Sequence, residues 1–178
     1  MHSVLHADFK KYVVECHSQK DYEAILEKAG YQEGDFDGAG YYNDSHFDNL
    51  IQASESQLSM DRQAILSALA HHGGPALLDN VRSMIDLGWK TLDFIEETEN
   101  IMHKYAREEM GAFPPALKPE RISENELIIR FISHRGMCGL ARGFINAISE
   151  HYGEKIELNM QVNDREHTLT IKKLVSDR

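Results

Sequence analysis

Cysteine is nearly absent from this chain. Two of 178 residues are cysteine: Cys16 and Cys138, far apart and in no C-x-x-C pair. Neither a structural disulfide nor a cysteine zinc site is expected, and a reducing cytoplasm is the natural setting. No stretch approaches the ~20 apolar residues of a membrane-spanning helix. His2, His6, Asp8, Lys10 and Lys11 interrupt the opening residues, where a secretory leader would be apolar. Basic residues are outnumbered, 19 Lys and Arg against 29 Asp and Glu, for a formal charge of −10. Nucleic acid and anionic membranes are therefore not expected partners, because both are bound through clustered cations. Catalytic signatures are lacking as well: there is no G-x-S-x-G, P-loop, G-x-G-x-x-G or H-E-x-x-H. No repeat or low-complexity tract appears.

What remains is an ordinary globular composition, 42% hydrophobic and 27% charged. A chain of this length can bury a core and still spare room for a ligand. The first two-thirds reads as helix. Val4, Leu5, Phe9, Tyr12, Val13 and Cys16 recur at helical spacing. A second helix runs from Asp21 to Ala29 and stops at Gly30. Residues 31–42, with Gly34, Gly38 and Gly40, read as a loop. Asn43 or Asp44 can cap a third helix bearing Phe47, Leu50, Ile51, Ser54 and Leu58 on one face. Helix continues over Met60 to Ala70, after which His71-His72-Gly73-Gly74-Pro75 is expected to break the chain. Two more helices are expected over 76–86 and 88–109, the second ending before Gly111 and Pro114-Pro115.

The texture then changes. Leu127 to Ile132 looks like a strand. Gly136 to Tyr152 is an amphipathic helix carrying Met137, Leu140, Ala141, Phe144, Ile145 and Ile148. Ile156, Leu158, Met160 and Val162 alternate with polar residues, as in a half-buried strand. Thr168 to Leu174 alternates likewise and should pair with it across a turn at Asn163-Asp164-Arg165. The expectation is a single α+β domain over residues 1–178. A helical part of about 1–112 would precede a part of about 113–178 holding a small antiparallel sheet and a long helix.

Two features could carry chemistry. His103 lies late in its helix and shares a face with Trp89, Leu92, Ile95 and Ala106, although Glu96 and Glu99 fall near that stripe. From the helix alone, a boundary histidine with a hydrogen-bond partner is the plainer reading. A helix is also a rigid way to present a neutral imidazole to haem iron. His71 and His72 are adjacent, so their side chains diverge, and an exposed helix end suits them better. In Phe131-Ile132-Ser133-His134-Arg135, alternate residues project together in extended chain. Ser133 and Arg135 would then offer a carboxylate a hydroxyl and a guanidinium fork. The plainer alternative is a strand-end Arg in a surface ion pair.

Taken together, these residues resemble the H-NOX (haem-nitric oxide/oxygen binding) family, which also provides the sensor domain of soluble guanylate cyclase. The similarity runs over almost the whole chain. Phe9-Lys10-Lys11-Tyr12-Val13-Val14-Glu15 and Tyr22 to Gly30 resemble the first two family helices. Ile101-Met102-His103 is similar to the proximal helix, which implies His103 as the iron ligand. Pro114-Pro115 resembles the following proline segment, implying that Pro115 presses on the porphyrin. Arg130 to Ile148 carries the most specific match. The family has Tyr-x-Ser-x-Arg here to hold the haem propionates, and Ser133 and Arg135 map directly. Phe131 replaces the Tyr and loses a hydroxyl donor. Ser3 stands where a Gly is usual, and the zinc-binding cysteine cluster of some bacterial members has only Cys138. Oxygen-binding members carry a distal Tyr where this chain has Leu140.

The resemblance implies haem b (iron protoporphyrin IX) between the helical and sheet layers, with Phe9 and Leu140 lining the open side. It implies sensing of nitric oxide, with CO also bound, and no catalysis. NO would weaken the iron–histidine bond, and the helical layer would shift against the sheet. A separate partner would read that shift, such as a histidine kinase or a cyclic-di-GMP enzyme. Phe131 leaves open a haem-free or altered-cofactor binding module of the same fold. A peroxidase-like enzyme is disfavoured by the lack of a distal acid–base arrangement.

Overall fold

Helices come first in the computed structural model, which describes residues 2–38, 40–109, 111–133, 135–163 and 166–175. Helix α1 spans Ser3–Cys16, and the His2 side chain accepts the Val4 N–H at its start. Helix α2 spans Gln19–Ala29. It begins two residues before the periodicity predicts because Ser18 caps it, accepting the Asp21 N–H at 3.1 Å. Gly30 closes it at φ 79°, a conformation open to glycine. Helix α3, Asp44–Leu58, is capped by Asn43, one of the two candidates.

Helix α4 corrects the sequence reading. It runs unbroken over Arg62–Asn80, straight through His71-His72-Gly73-Gly74-Pro75. Of the separate helix expected over 76–86, residues 76–80 form the end of α4, and a short 3-10 turn at Arg82–Met84 follows. Local propensity predicts a break at Gly-Gly-Pro, but the glycine here serves packing. A Cβ on Gly74 would overlap the Cβ of Ala147 on helix α7 (Cys138–His151). The favour is returned from α7. A Cβ on Gly139 would lie 2.8 Å from Leu66 Cβ, and one on Gly143 would lie 2.7 Å from Ala70 Cβ. Gly139, Gly143 and Ala147 recur every four residues and so share one face of α7. The two helices therefore meet nearly backbone to backbone, and that burial offsets the cost of Pro75 inside α4.

The single helix expected over 88–109 is divided in its hydrogen bonding. Helix α5 covers Thr91–Glu97, a π-helical turn covers Glu99–His103, and helix α6 covers Lys104–Glu108. In the π turn the His103 N–H reaches back five residues to the Thr98 carbonyl at 3.0 Å. Such turns hold one residue more than an α turn and gather at functional positions.

Strands β1 (Leu117–Ser123), β2 (Glu126–Ile132), β3 (Ile156–Asn163) and β4 (Glu166–Lys173) form one antiparallel sheet in the order β1-β2-β4-β3. The β3–β4 pairing is as predicted, although the Asp164-Arg165 turn lies outside the described residues. β1 has no forerunner in the sequence reading. It is an edge strand that carries Pro119 and alternates only between half-buried and exposed positions, so its period-2 signal is weak. Leu127, Ile129 and Phe131 face Ile171, Leu169 and His167 across β2 and β4, and all six are buried. This inner face packs with α5 and α7, with Leu92, Phe94, Ile95, Ile145 and Ile148 in one cluster. A second cluster, with Phe9, Ile25, Phe47, Leu50, Ile65 and Leu66, fills the helical layer.

Candidate functional site

Between the π turn, α7 and the inner sheet face lies a cavity of about 350 Å³, within the size range of small-molecule sites. Its walls are mostly apolar. Leu140, Ala141, Phe144, Ile145 and Ile148 come from α7, Ile129, Phe131 and Leu169 from the sheet, and Leu5 from α1. The chain from Met102 to Leu117 supplies Met102, His103, Pro114 and Pro115. Ser133 and Arg135 line it just beyond the end of β2. The fold thus brings His103, Pro115, Phe131, Ser133, Arg135 and Leu140 to one space. Phe9 is the exception. It is fully buried in the helical core, with its ring 6.0 Å from that of Phe47. The α1 residue lining the cavity is Leu5, one turn earlier. His134 lies outside the described residues.

His103 is held from two sides. Its Nδ1 lies 3.2 Å from Glu99 Oε2, and the Pro115 backbone carbonyl is a second acceptor for the ring. Burial pushes its pKa below the usual histidine value, against the upward pull of Glu99. The imidazole is therefore neutral at physiological pH, the form that ligates metals. Glu99 Oε2 also accepts the Leu117 N–H at 2.8 Å, and Oε1 pairs with Arg107. Burial pushes the Glu99 carboxyl upward, but these donors outweigh it and hold the group below its ordinary value.

Arg135 Nε sits 2.8 Å from Asp44 Oδ2, and its Nη1 donates to the Phe113 carbonyl. The Phe131 ring centroid is 5.0 Å from that of His167, whose Nδ1 lies 3.4 Å from Cys138 Sγ. His71 and His72 are engaged elsewhere, each with Nε2 2.9 Å from a carboxylate, Glu150 and Glu15 respectively. Among the described residues, no three histidines, cysteines or carboxylates gather to hold a bare metal ion.

Comparison with known proteins settles the family. The model of the haem-NO-binding family matches residues 2–160. This chain belongs to that family. It is a family of haem-binding gas sensors. A search of curated proteins returned no match. Among solved structures, the fold is similar to the unliganded Fe(II) H-NOX protein of K. algicida. That match has a TM-score of 0.88 and 19% identity, covering 99% of this chain and 98% of that one. The H-NOX protein of S. oneidensis in its Fe(II)NO state gives a TM-score of 0.85 at 17% identity, over 98% and 100% of the two chains. A point mutant of the T. tengcongensis H-NOX gives 0.83 at 14%, over 97% of each. At these identities the likeness establishes the H-NOX fold, helices followed by a small antiparallel sheet with α7 against it.

The residues present fit the family's cofactor. A porphyrin is a flat apolar body with two carboxylates at its edge and a metal with vacant axial positions. The cavity offers apolar walls, the neutral imidazole of His103, and a guanidinium beside a hydroxyl. Sequence reasoning missed Leu5, Thr98 and Met102, which also line the cavity. Met102 adjoins His103, and Thr98, just before the π turn, accepts the His103 N–H. Glu99 was noticed only as an interruption of an apolar stripe. Its three partners lie 4, 8 and 18 residues away, and the last of them is on β1 beyond Pro114-Pro115, where a helical pattern cannot reach.

Proposed function

We propose that this chain binds haem b in the cavity between α7 and the inner sheet face and senses nitric oxide, signalling to a separate protein. One observation carries the reading: the neutral imidazole of His103, the one histidine among the described residues that line the apolar cavity, beside Arg135 and Ser133. His103 would bind the iron. Arg135 and Ser133 would hold the propionates through charge-assisted and hydroxyl hydrogen bonds. Pro115 would rest against the porphyrin. When bound, haem supplies an iron centre that takes diatomic ligands such as NO and CO. Leu5, Leu140 and Phe144 keep water from the cavity and offer no hydrogen-bond donor.

The chain's own moving part would be the π turn with α6. His103 ends that turn, so any change in how the ring is held is felt at the first residue of α6. No catalytic step is assigned to any residue. The partner would be of the kind the resemblance suggests, a histidine kinase or a cyclic-di-GMP enzyme, met in the cytoplasm. No helix among the described residues is long and apolar enough to cross a membrane.

The test is the absorption spectrum of purified protein, reduced, with and without NO, for the natural chain and for His103→Gly. The natural chain should show a haem band that NO shifts. The variant should lose most haem and regain it with added imidazole. Unchanged haem content in the variant would overturn the assignment. A second reading, a haem-free module of the same fold, is favoured by Phe131, which lacks the hydroxyl, and by Asp44 already occupying Arg135. An absent haem band after haem-replete expression would select it.

A further inference from the structure

We infer that Glu99 is the positioning residue for His103: its carboxylate accepts the hydrogen bond of the ring's Nδ1–H, leaves the lone pair on Nε2 as the ligand nitrogen, and ties the ring's orientation to α6 and to the sheet. This rests on His103 being the proposed ligand.

The geometry is specific. Glu99 opens the π turn and His103 closes it. Glu99 Oε2 lies 3.2 Å from Nδ1 and 2.8 Å from the Leu117 N–H, the first residue of β1. Oε1 is taken by Arg107 on α6. Three segments therefore meet on one carboxylate that is itself only 20% exposed. A carboxylate only accepts hydrogen bonds, so the nitrogen facing it must carry the proton. In a neutral imidazole that leaves the lone pair on Nε2. The competing acceptor, the Pro115 carbonyl, is uncharged. Hydrogen bonds to an ionised acceptor are roughly twice as strong as neutral ones, so the carboxylate decides the tautomer.

Two consequences follow. A ligating histidine whose other N–H is given to a carboxylate is a stronger donor to its metal, and loss of such a partner typically costs about 10–100-fold in affinity. The second is mechanical. Glu99 is also fixed by Leu117 and Arg107. The ring therefore cannot turn without either breaking its bond to Glu99 or pulling on the joint between α6 and β1.

The first measurement needs no haem. Ring nitrogens of haem-free protein are read by ¹⁵N NMR at mildly alkaline pH. His103 should be the Nδ1–H tautomer in the natural chain and shift toward Nε2–H in Glu99→Leu. Arg107→Leu, which removes a different arm of the joint, should leave the tautomer as it was. An Nε2–H ring in the natural chain overturns the inference, as does an unchanged ring in Glu99→Leu or an equal shift in Arg107→Leu. The second measurement uses the haem-loaded ferrous protein. Glu99→Gln, nearly isosteric, should lower the iron–histidine stretching frequency and speed haem loss about 10-fold. An unmoved frequency overturns the inference. If the natural chain takes up no haem, the proposed function fails, while the tautomer measurement still decides the role of Glu99.

Discussion

Replacing His6 by phenylalanine should remove much of the acid sensitivity of folding. His6 lies on α1 and is only 2% exposed. Its ring stacks on Phe36 at 4.6 Å between centroids, with Tyr42 at 5.0 Å and Phe47 edge-on at 5.4 Å. Among the described residues, neither ring nitrogen has a hydrogen-bond partner of normal geometry. Burial in this aromatic cage pushes its pKa from 6.5 down to about 4, and the His2 backbone carbonyl offsets only part of that. As pH falls below 6.5 the unfolded chain takes up a proton that the folded chain refuses. The stabilisation is thus complete above 6.5 and lost progressively between 6.5 and about 4. That span corresponds to roughly 3 kcal/mol, a large share of the ~5–15 kcal/mol of a typical domain.

The assay is urea unfolding of the natural chain and His6→Phe at about pH 7.5 and about pH 4.5. The natural chain should lose more stability between the two by roughly 2–3 kcal/mol. Glu99 and Glu154, whose pKa values lie below the ordinary 4.5, contribute stability that is lost only as pH falls further, and equally in both proteins. At neutral pH the variant should also be the more stable, because two buried unpartnered nitrogens disappear. Parallel stability–pH curves for the two proteins would refute the reasoning.

Arg135→Ala should speed haem loss about 10- to 100-fold, since a charge-assisted hydrogen bond is worth roughly 1.5–3 kcal/mol. Phe131→Tyr should slow it, and stopped-flow transfer of haem to an acceptor protein reads both. The ferrous protein should bind NO and CO yet form no lasting oxygen complex, because Leu5 and Leu140 give bound oxygen no donor. A long-lived oxy spectrum in air would contradict this, and Leu140→Tyr should create one. Gly143→Ala should destabilise the fold by about 1–3 kcal/mol through overpacking, because its Cβ would meet the backbone of α4. Thermal unfolding at unchanged pH checks it.

Much of the site was legible in the sequence because its polar members come in short local patterns. Ser133 and Arg135 are two apart on extended chain, and both do reach the cavity. His103 sits on a helical face that ends against it. What was illegible depends on tertiary contact. Gly73-Gly74-Pro75 carries every local mark of a helix break, and only Ala147, 73 residues after Gly74, explains why the helix continues. Phe9 and Leu5 are one turn apart on α1, so periodicity alone could not say which of them faces the cavity and which the helical core. β1 hid because an edge strand with a proline need not alternate cleanly. The 99–103 turn hid because a π turn differs from an α turn in which carbonyl each N–H finds, and residue type does not record that choice.

The contact between α4 and α7 has a consequence for how force moves through the protein. Where side chains separate two helices they act as a cushion: rotamers adjust and a small displacement is absorbed. At Gly74, Gly139 and Gly143 there is no cushion, since even one added carbon has no room. One face of α7 forms a cavity wall with Leu140 and Phe144. α4 carries Ile65, Leu66 and Leu69 into the core of the helical layer. The cavity and that core are therefore coupled in series through a stiff joint. A push on α7 from inside the cavity is delivered to α4 nearly undiminished, and the helical layer must move with it or resist it as one body.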